Sequence, residues 1–137
     1  LYDTTYISKL DVNGNYVWAK CFGGSSSGRA IALDAASNIY LTGYFNGTVD
    51  FDPNTGVANV SGLGGPLYTY ICKLDANGIY QWAKGFGNSN NPNHTMAYAI
   101  TTDATNHVYT TGNFYDIVDE SSKMRNTIRG QKIGELG

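Results

Sequence analysis

The chain of 137 residues contains 17 glycines and 11 tyrosines, and only 15% of its residues are charged. A formal net charge of −2 does not provide the positive surface that attracts nucleic acids or anionic membranes, and no apolar run reaches the ~20 residues of a membrane-spanning helix. This composition, with little helical periodicity before residue 115, predicts an all-β fold. The sequence starts at Leu1 without an initiator methionine or a signal peptide, so we expect a processed protein or part of a longer one.

One segment occurs twice, at Tyr6–Gly24 and at Tyr70–Asn88, and an ungapped alignment that matches Tyr6 with Tyr70 gives thirteen identical positions out of nineteen. Each copy has an Asn-Gly pair between β-branched and aromatic residues, which predicts a β-hairpin with a two-residue type I′ turn. A lysine then crosses an indole in both copies, a cation–π contact worth roughly 0.5–1 kcal/mol at an exposed site. The cross-strand pairs predicted by this turn are Asp11/Tyr16, Lys9/Trp18 and Ile7/Lys20, and in the second copy Asp75/Tyr80, Lys73/Trp82 and Ile71/Lys84.

A second segment also occurs twice, at Ala30–Phe45 and at Ala99–Phe114, and the alignment that matches Ala30 with Ala99 gives eight identical positions out of sixteen. The alternation of Ile31 and Leu33, and of Ile39 and Leu41, is typical of half-buried strands. The aspartates that recur at turn positions are explained by capping of backbone N–H groups. Each copy is predicted to be two strands joined at an Asp-Ala turn: Arg29–Asp34 with Asn38–Phe45, and Tyr98–Asp103 with His107–Phe114.

The glycine- and serine-rich stretch Gly23–Gly28 is predicted to be a flexible loop. Part of it, Gly24–Gly28, matches the Gly-x-Ser-x-Gly pattern of a hydrolase nucleophile. That motif requires a turn from a strand into a helix. A strand is predicted to follow here, so we interpret the match as a loop without catalytic meaning.

Residues 46–66 connect the two kinds of repeat and contain the candidate metal site. They are predicted to form a short strand at Thr48–Phe51, an Asp-Pro-Asn turn and a second strand near Val57–Val60. Asp50, Asp52 and Asn54 stand at alternate positions before a glycine, which is the oxygen spacing of a calcium loop. The stretch lacks the terminal bidentate acid, and Asx turns explain the same residues. Calcium is therefore one hypothesis, and a turn without a metal is the other.

Four stretches of the sequence are compared as a succession: KLDANG, WAK-x-FGG, AIALDAASNIYLTGYF and GTVDFDPNTG. This succession resembles the bacterial β-propeller repeats called SBBP repeats, which occur in large secreted proteins. The resemblance covers residues 2–114 and implies four-stranded antiparallel blades, with residues 115–137 as a separate charged tail. It implies one whole blade, whose strands from the innermost outward are Arg29–Asp34, Asn38–Phe45, Leu67–Asp75 and Ile79–Phe86. An outer half-blade at Tyr2–Phe22 precedes this blade, and an inner half-blade at Tyr98–Phe114 follows it.

Two blade equivalents cannot close into a propeller, which needs about four or more blades. Either the chain belongs to a longer propeller, or copies associate head to tail so that the inner half of one completes the outer half of the next. A heterologous contact of this kind gives a ring if the rotation closes and a filament if it does not. Unpaired halves would otherwise expose strand edges.

Residues 115–137 carry eight of the twenty charged residues. Ser121 is predicted to cap a helix that runs to about Arg129 and ends at Gly130. A solvated tail and a docking or assembly segment are the two interpretations of this composition.

Little in the sequence suggests catalysis or a cofactor. The histidines are His94, in a polar loop, and His107, which starts a strand where the other repeat has Asn38. No phosphate-binding or zinc-binding spacing is present. Cys21 and Cys72 are not preserved between the copies, which predicts buried free thiols. The alternative, a disulfide between them, would have to join different repeat units. Polar residues that recur in the repeats indicate a scaffold, because an active site is normally made once.

The sequence and the resemblance together predict a non-enzymatic, secreted or cell-surface bacterial module that serves as a structural or adhesive scaffold. Its expected partners are copies of itself or neighbouring blades of a longer chain. An alternative is a lectin-like module that binds glycans or a surface protein through exposed tyrosines, with Tyr44 and Tyr115 as the candidate residues. A fragment of a propeller enzyme is a third hypothesis.

Overall fold

The computed structural model describes residues 3–62, 66–87 and 94–114. The charged tail, with its predicted helix and Tyr115, lies outside these ranges. Within them the chain is all-β, as predicted, and contains no helix. The nine described strands are β1 (Tyr6–Leu10), β2 (Tyr16–Cys21), β3 (Gly23–Leu33), β4 (Ile39–Asp50), β5 (Asn59–Ser61), β6 (Tyr68–Leu74), β7 (Tyr80–Phe86), β8 (Thr95–Thr102) and β9 (Val108–Phe114).

The strands of the described ranges form three antiparallel sheets. One sheet is the hairpin β1–β2, and another is the hairpin β8–β9. The third has five strands in the order β3-β4-β6-β7, with the short β5 paired to the C-terminal end of β4. None of these three described sheets closes on itself.

Both repeated hairpins form where they were predicted, but with a different turn. In the first, the Gly14 N–H donates to the Asp11 carbonyl at 3.0 Å. Gly14 has a φ of 83°, whereas Asn13 is not among the described residues with positive φ. This is a type I turn followed by a left-handed glycine, and Asp75 and Gly78 repeat it. The predicted type I′ turn is therefore wrong.

The aspartate that begins each turn explains the difference. Asp11 Oδ1 accepts the N–H groups of Asn13 and Asn15, both at 2.8 Å, which encloses three residues in the turn rather than two. The extra residue shifts the ladder, so Leu10 rather than Asp11 pairs with Tyr16. The second hairpin has the same shift, with Leu74 rather than Asp75 opposite Tyr80. The other predicted pairs are confirmed: Lys9/Trp18, Ile7/Lys20, Lys73/Trp82 and Ile71/Lys84.

The predicted lysine–indole contacts are wrong in both copies. The Nζ of Lys73 lies over the ring of Tyr40 on β4, 5.2 Å from its centroid. In the first hairpin, Lys20 rather than Lys9 lies over Trp18. In the second copy the reason is that β6 also pairs with β4, a neighbour that the sequence of the hairpin does not contain. In the first copy the Lys9 ammonium lies 3.5 Å from the Ala76 carbonyl oxygen instead.

The second repeated segment forms the hairpins β3–β4 and β8–β9, as predicted. The stretch Gly23–Gly28, predicted to be a loop, is instead the first half of β3. It pairs with β4 through register shifts near Gly23 and Gly28, which its small side chains permit. Ser26 is buried, and its hydroxyl accepts the N–H of Thr5 at 3.1 Å. The Gly-x-Ser-x-Gly match therefore lies within a strand and is not a nucleophile elbow.

The core is an aromatic cluster that joins the first hairpin region to the five-stranded sheet. The Phe51 ring centroid lies 4.9 Å from that of Phe22 and 4.8 Å from that of Tyr70. Ring pairs of this kind add about 0.5–1.5 kcal/mol each beyond their burial. Burial raises the pKa of Tyr70 to about 12. The hydroxyl of this tyrosine lies 3.3 Å from Thr5 Oγ1, which gives it a polar partner inside the core.

Candidate functional site

The main candidate site consists of two strand edges without a partner strand in the described chain. β1 pairs with β2 on one side, and β9 pairs with β8 on one side. By the two repeat alignments, β1 corresponds to β6 and β9 corresponds to β4. In the five-stranded sheet these two equivalents pair with each other. The central sheet thus contains an equivalent of each hairpin: β6–β7 matches β1–β2, and β3–β4 matches β8–β9. In the separate hairpins, the free edges of β1 and β9 each present a row of backbone N–H and C=O groups.

Matched residues of β1 and β6 differ sharply in exposure. Tyr70 is 0% exposed, whereas its equivalent Tyr6 is 75% exposed. Leu74 is fully buried, whereas its equivalent Leu10 is exposed. The turns are the same at both places, so the difference comes from the surroundings of the two strands. Tyr70 packs against the rings of Phe22, Phe45 and Phe51, whereas in the described chain Tyr6 is left exposed.

The same contrast appears in β9 and β4. Tyr40 is 2% exposed and Tyr109 is 55% exposed. Both hydroxyls donate to the aspartate of the preceding turn, Asp34 at 3.2 Å and Asp103 at 3.0 Å. Tyr40 is also covered by the Trp82 ring, with centroids 6.3 Å apart. The local structure is thus shared, and only the covering strands differ.

An apolar cleft of about 450 Å³ runs between β1 and β3. Leu10 lines it from one side and Ile31 and Leu33 from the other, and all three side chains are exposed. A neighbouring cleft shares Ile7 and Ile31 with it, and so extends it along β1. The prediction that one face is buried is wrong for Ile31 and Leu33, because no described strand covers this face of β3. It is confirmed for Ile39 and Leu41 on β4, which are buried.

The recurring aspartates have the capping role that the sequence predicted. Asp34 accepts the N–H groups of Ala36 and Asn38 at 3.0 and 2.9 Å, and Asp103 makes the equivalent bonds. Hydrogen bonds, first of all from the Asn38 side chain, lower the pKa of Asp34. At Asp103 partial desolvation acts in the opposite direction, but bonds from the His107 N–H and other donors keep its pKa low. These carboxylates are occupied by turn hydrogen bonds.

The candidate calcium residues form consecutive Asx turns. Asp50 Oδ1 accepts the N–H groups of Asp52 and Ala58 at 3.0 and 2.8 Å, and Asp52 Oδ1 accepts the Asn54 N–H at 2.9 Å. The side-chain oxygen of Asn54 accepts a bond from the Lys20 ammonium. The chain's own donors thus use these oxygens, which accounts for the Asp-x-Asp-x-Asn spacing. Calcium binding at these residues stays a prediction.

Tyr44, the described candidate for glycan binding, is engaged within the chain. Its hydroxyl accepts a hydrogen bond from Arg29, and the guanidinium carbon lies 4.9 Å from the ring centroid. The bond from Arg29 lowers the pKa of Tyr44. One face of this ring is therefore covered by an arginine rather than open for a sugar.

The histidine with a carboxylate partner does not form a catalytic relay. His107 Nδ1 lies 3.0 Å from Asp103 Oδ2 and 2.8 Å from Thr105 Oγ1. Both partners meet the same ring nitrogen, whereas a relay needs the carboxylate on one nitrogen and the hydroxyl on the other. Both cysteines are free thiols, as predicted, but only Cys72 is buried, and the prediction of a buried thiol is wrong for Cys21, which is exposed. Burial raises the pKa of Cys72, which keeps it a thiol.

Sequence reasoning missed the cleft and the exposed aromatic residues of the edges. The signal that could have found them is the pair of repeat alignments, since β1 and β9 are copies of strands that pair elsewhere in the same chain. In the described ranges, no helix is long and apolar enough to cross a membrane. A search of protein-family models finds no family that matches the chain. A comparison with curated proteins finds no significant match.

Proposed function

We propose that the chain is a non-enzymatic β-propeller repeat module whose function is structural. In this proposal the five-stranded sheet contains a complete blade, β1–β2 is the outer half of the blade before it, and β8–β9 is the inner half of the blade after it. Neighbouring repeats complete both halves, in a ring, a filament or a longer propeller. The resemblance to repeats of large secreted bacterial proteins favours a scaffold at the cell surface or outside the cell, with an adhesive role.

The observation that carries the proposal is the contrast between matched residues. Tyr70 and Tyr40 are buried in the complete sheet, while Tyr6 and Tyr109 are exposed in the hairpins. An exposed apolar strand edge favours association with another chain. Because the two hairpins are equivalent to the two parts of one complete sheet, a hairpin of a neighbouring repeat can pair with each open edge and cover it.

Contacts between the sheets support a stacked arrangement of blades. The Thr102 hydroxyl of β8 donates to the Leu33 carbonyl of β3 at 3.0 Å. On the other hairpin, the Lys9 ammonium of β1 lies 3.5 Å from the carbonyl oxygen of Ala76. Each half-blade thus lies against the complete sheet through its own strands, as adjacent blades do.

The use of the recurring polar groups supports a scaffold rather than an enzyme. Four aspartates, at positions 11, 34, 75 and 103, accept backbone N–H bonds in equivalent turns. Repetition of one structural role explains these residues without a substrate.

Sedimentation of the purified chain tests the proposal. We expect the chain to form multimers whose population rises with protein concentration, because each copy has two edges to cover. Electron micrographs of the multimer distinguish a ring from a filament. A folded chain that sediments as a monomer at high concentration would contradict the proposal.

A further inference from the structure

We infer that β9 of one chain pairs with β1 of a second copy, antiparallel and in the register that β4 and β6 have in the central sheet. The inference rests on the proposed function, and it specifies the partner and the contacts of the two open edges. The pairing is heterologous, since each copy uses its β9 edge on one neighbour and its β1 edge on another.

The register follows from the two repeat alignments, in which β1 matches β6 and β9 matches β4 residue by residue. The observed partners Leu41 and Cys72 therefore predict that Thr110 of one copy lies opposite Ser8 of the next. The observed partners Ile39 and Leu74 correspond to Val108 and Leu10. These two residues are likewise expected to lie opposite each other.

The aromatic residue that is most exposed on β1 has a matching space on β9. In the central sheet Tyr70 lies opposite Gly43. A Cβ at Gly43 would meet the backbone carbonyl oxygen of Ser27 on β3 first, and it would also come within 3.1 Å of the Tyr70 ring. The repeat alignments place Tyr6 opposite Gly112 in the same way. Within the chain a Cβ at Gly112 would meet the Met96 carbonyl of β8, and the absence of a side chain there also leaves room for the ring of Tyr6.

The charged residue of the β1 edge also finds its counterpart. Lys73 pairs with Tyr40, and its Nζ lies 5.2 Å from that ring centroid. The repeat alignments pair Lys9 of one copy with Tyr109 of the next. Tyr109 is exposed in the single chain, and Lys9 is the residue that the pairing places across it.

The cleft between β1 and β3 is the space that the incoming hairpin fills. Within the chain, β8 lies against β3 through the Thr102 to Leu33 hydrogen bond. The cleft lies along the open edge of β1, where Ile31 and Leu33 are exposed. A second copy that pairs β9 with β1 brings its β8 over these side chains. The partner is therefore a second copy of this hairpin, because the chain itself shows which strands complete such an edge.

A disulfide-trapping experiment tests the register. The background is the full chain with Cys21→Ser, which removes the exposed thiol. Ser8→Cys is well tolerated in principle, since β6 carries Cys72 at the equivalent position. Under mild oxidation, the double variant Ser8→Cys/Thr110→Cys should give a ladder of disulfide-linked multimers, because the two Cα atoms face each other across an antiparallel pair.

Two controls make the result specific. Ser8→Cys/Thr111→Cys is one residue out of register and points its second thiol to the opposite face, so it should cross-link about tenfold less. An equal mixture of the two single variants, Ser8→Cys and Thr110→Cys, should give disulfide-linked dimers and no longer species, because each chain then has one introduced thiol. If the double variant fails to fold, Leu10→Cys/Val108→Cys repeats the test at the next in-register pair.

Sedimentation of the same samples separates failure of this inference from failure of the proposed function. A multimer in which both in-register pairs cross-link no more than the control pair would overturn the β9–β1 register and leave the assembly in place. A monomer without cross-links would overturn both. A ladder for the in-register pair, absent from the control pair, establishes the proposed pairing.

Discussion

The hairpins β1–β2 and β6–β7 have nearly the same sequence and the same turn, yet they stand in different environments. In β6–β7, Tyr70 and Leu74 are buried, and β4 pairs with the edge of β6, whereas in β1–β2 their equivalents Tyr6 and Leu10 are exposed. The comparison separates two contributions to the fold. The hairpin is encoded locally, by a turn aspartate and a left-handed glycine, while burial depends on which strands and side chains pack around it.

This separation has an energetic consequence. Full burial of a large apolar side chain stabilises a protein by roughly 1.5–3 kcal/mol relative to leaving it exposed. In the complete sheet, the large side chains of β6 are buried and contribute this free energy. In the hairpin β1–β2, the equivalent side chains of Tyr6 and Leu10 are exposed and do not. Substitutions at matched positions should therefore differ in effect for as long as the chain is a monomer.

The largest difference is expected between Tyr70→Ala and Tyr6→Ala. Tyr70 lies in the aromatic core, and truncation of a buried aromatic residue costs about 3–5 kcal/mol, whereas Tyr6→Ala should cost less than about 1 kcal/mol because the site is exposed. Denaturant unfolding of dilute, monomeric chain measures both. Equal losses would mean that the two environments are not distinct.

The turn aspartates should make the chain sensitive to acid. The pKa values of Asp11, Asp34 and Asp103 are lowered in the folded chain. A lowered folded pKa contributes stability above the unfolded pKa of about 3.9, and this stability is lost as the pH falls through the folded pKa. The free energy of unfolding should thus be flat near neutral pH and decline below about pH 4.

Asp34→Asn provides the matched control for that titration. The amide keeps an acceptor oxygen for the turn but does not ionise, so the variant should lose less stability between pH 4 and pH 2 than the parent does. Thermal unfolding across that range gives the comparison. Parallel pH profiles for the two proteins would show that Asp34 does not contribute.

The smallest difference is expected between the two lysines. Lys73→Met removes the cation from the Tyr40 ring and should cost about 0.5–1 kcal/mol. Lys9→Met should cost the monomer less than Lys73→Met does, because it removes only the 3.5 Å contact of the ammonium with the Ala76 carbonyl and its ring partner belongs to another copy. In the assembled state Lys9→Met should raise the concentration at which multimers form. A loss of monomer stability at Lys9 as large as at Lys73 would contradict this account.

Much of the secondary structure could be predicted from the sequence because its determinants are local. The repeats place the strands of all four long hairpins, and Asn-Gly and Asp-Ala signals place their turns. The turn type could not be predicted from Asn-Gly alone, since the side chain of Asp11 holds three residues in the turn. The stretch Gly23–Gly28 was predicted to be a loop because small residues rarely form strands, and here bulges accommodate them.

The candidate site was less accessible to sequence reasoning. Alternation at Ile31 and Leu33 identifies a face that suits burial, but it does not say whether a covering strand is present. Likewise, the spacing of Asp50, Asp52 and Asn54 does not distinguish a metal loop from a series of Asx turns. For the strand edges, comparison of each repeat with its buried equivalent shows which strand would cover the exposed residues, and the pattern of a single repeat does not show this.

Amide hydrogen exchange along β1 and β9 is the most direct measurement of the central claim, that these hairpins are halves of sheets completed by a neighbour. In concentrated protein, the edge amides of Tyr6–Leu10 and Val108–Phe114 should become protected to a degree approaching that of β4 and β6. In dilute monomer they should exchange rapidly. Rapid exchange at both edges in an assembled sample would contradict the claim.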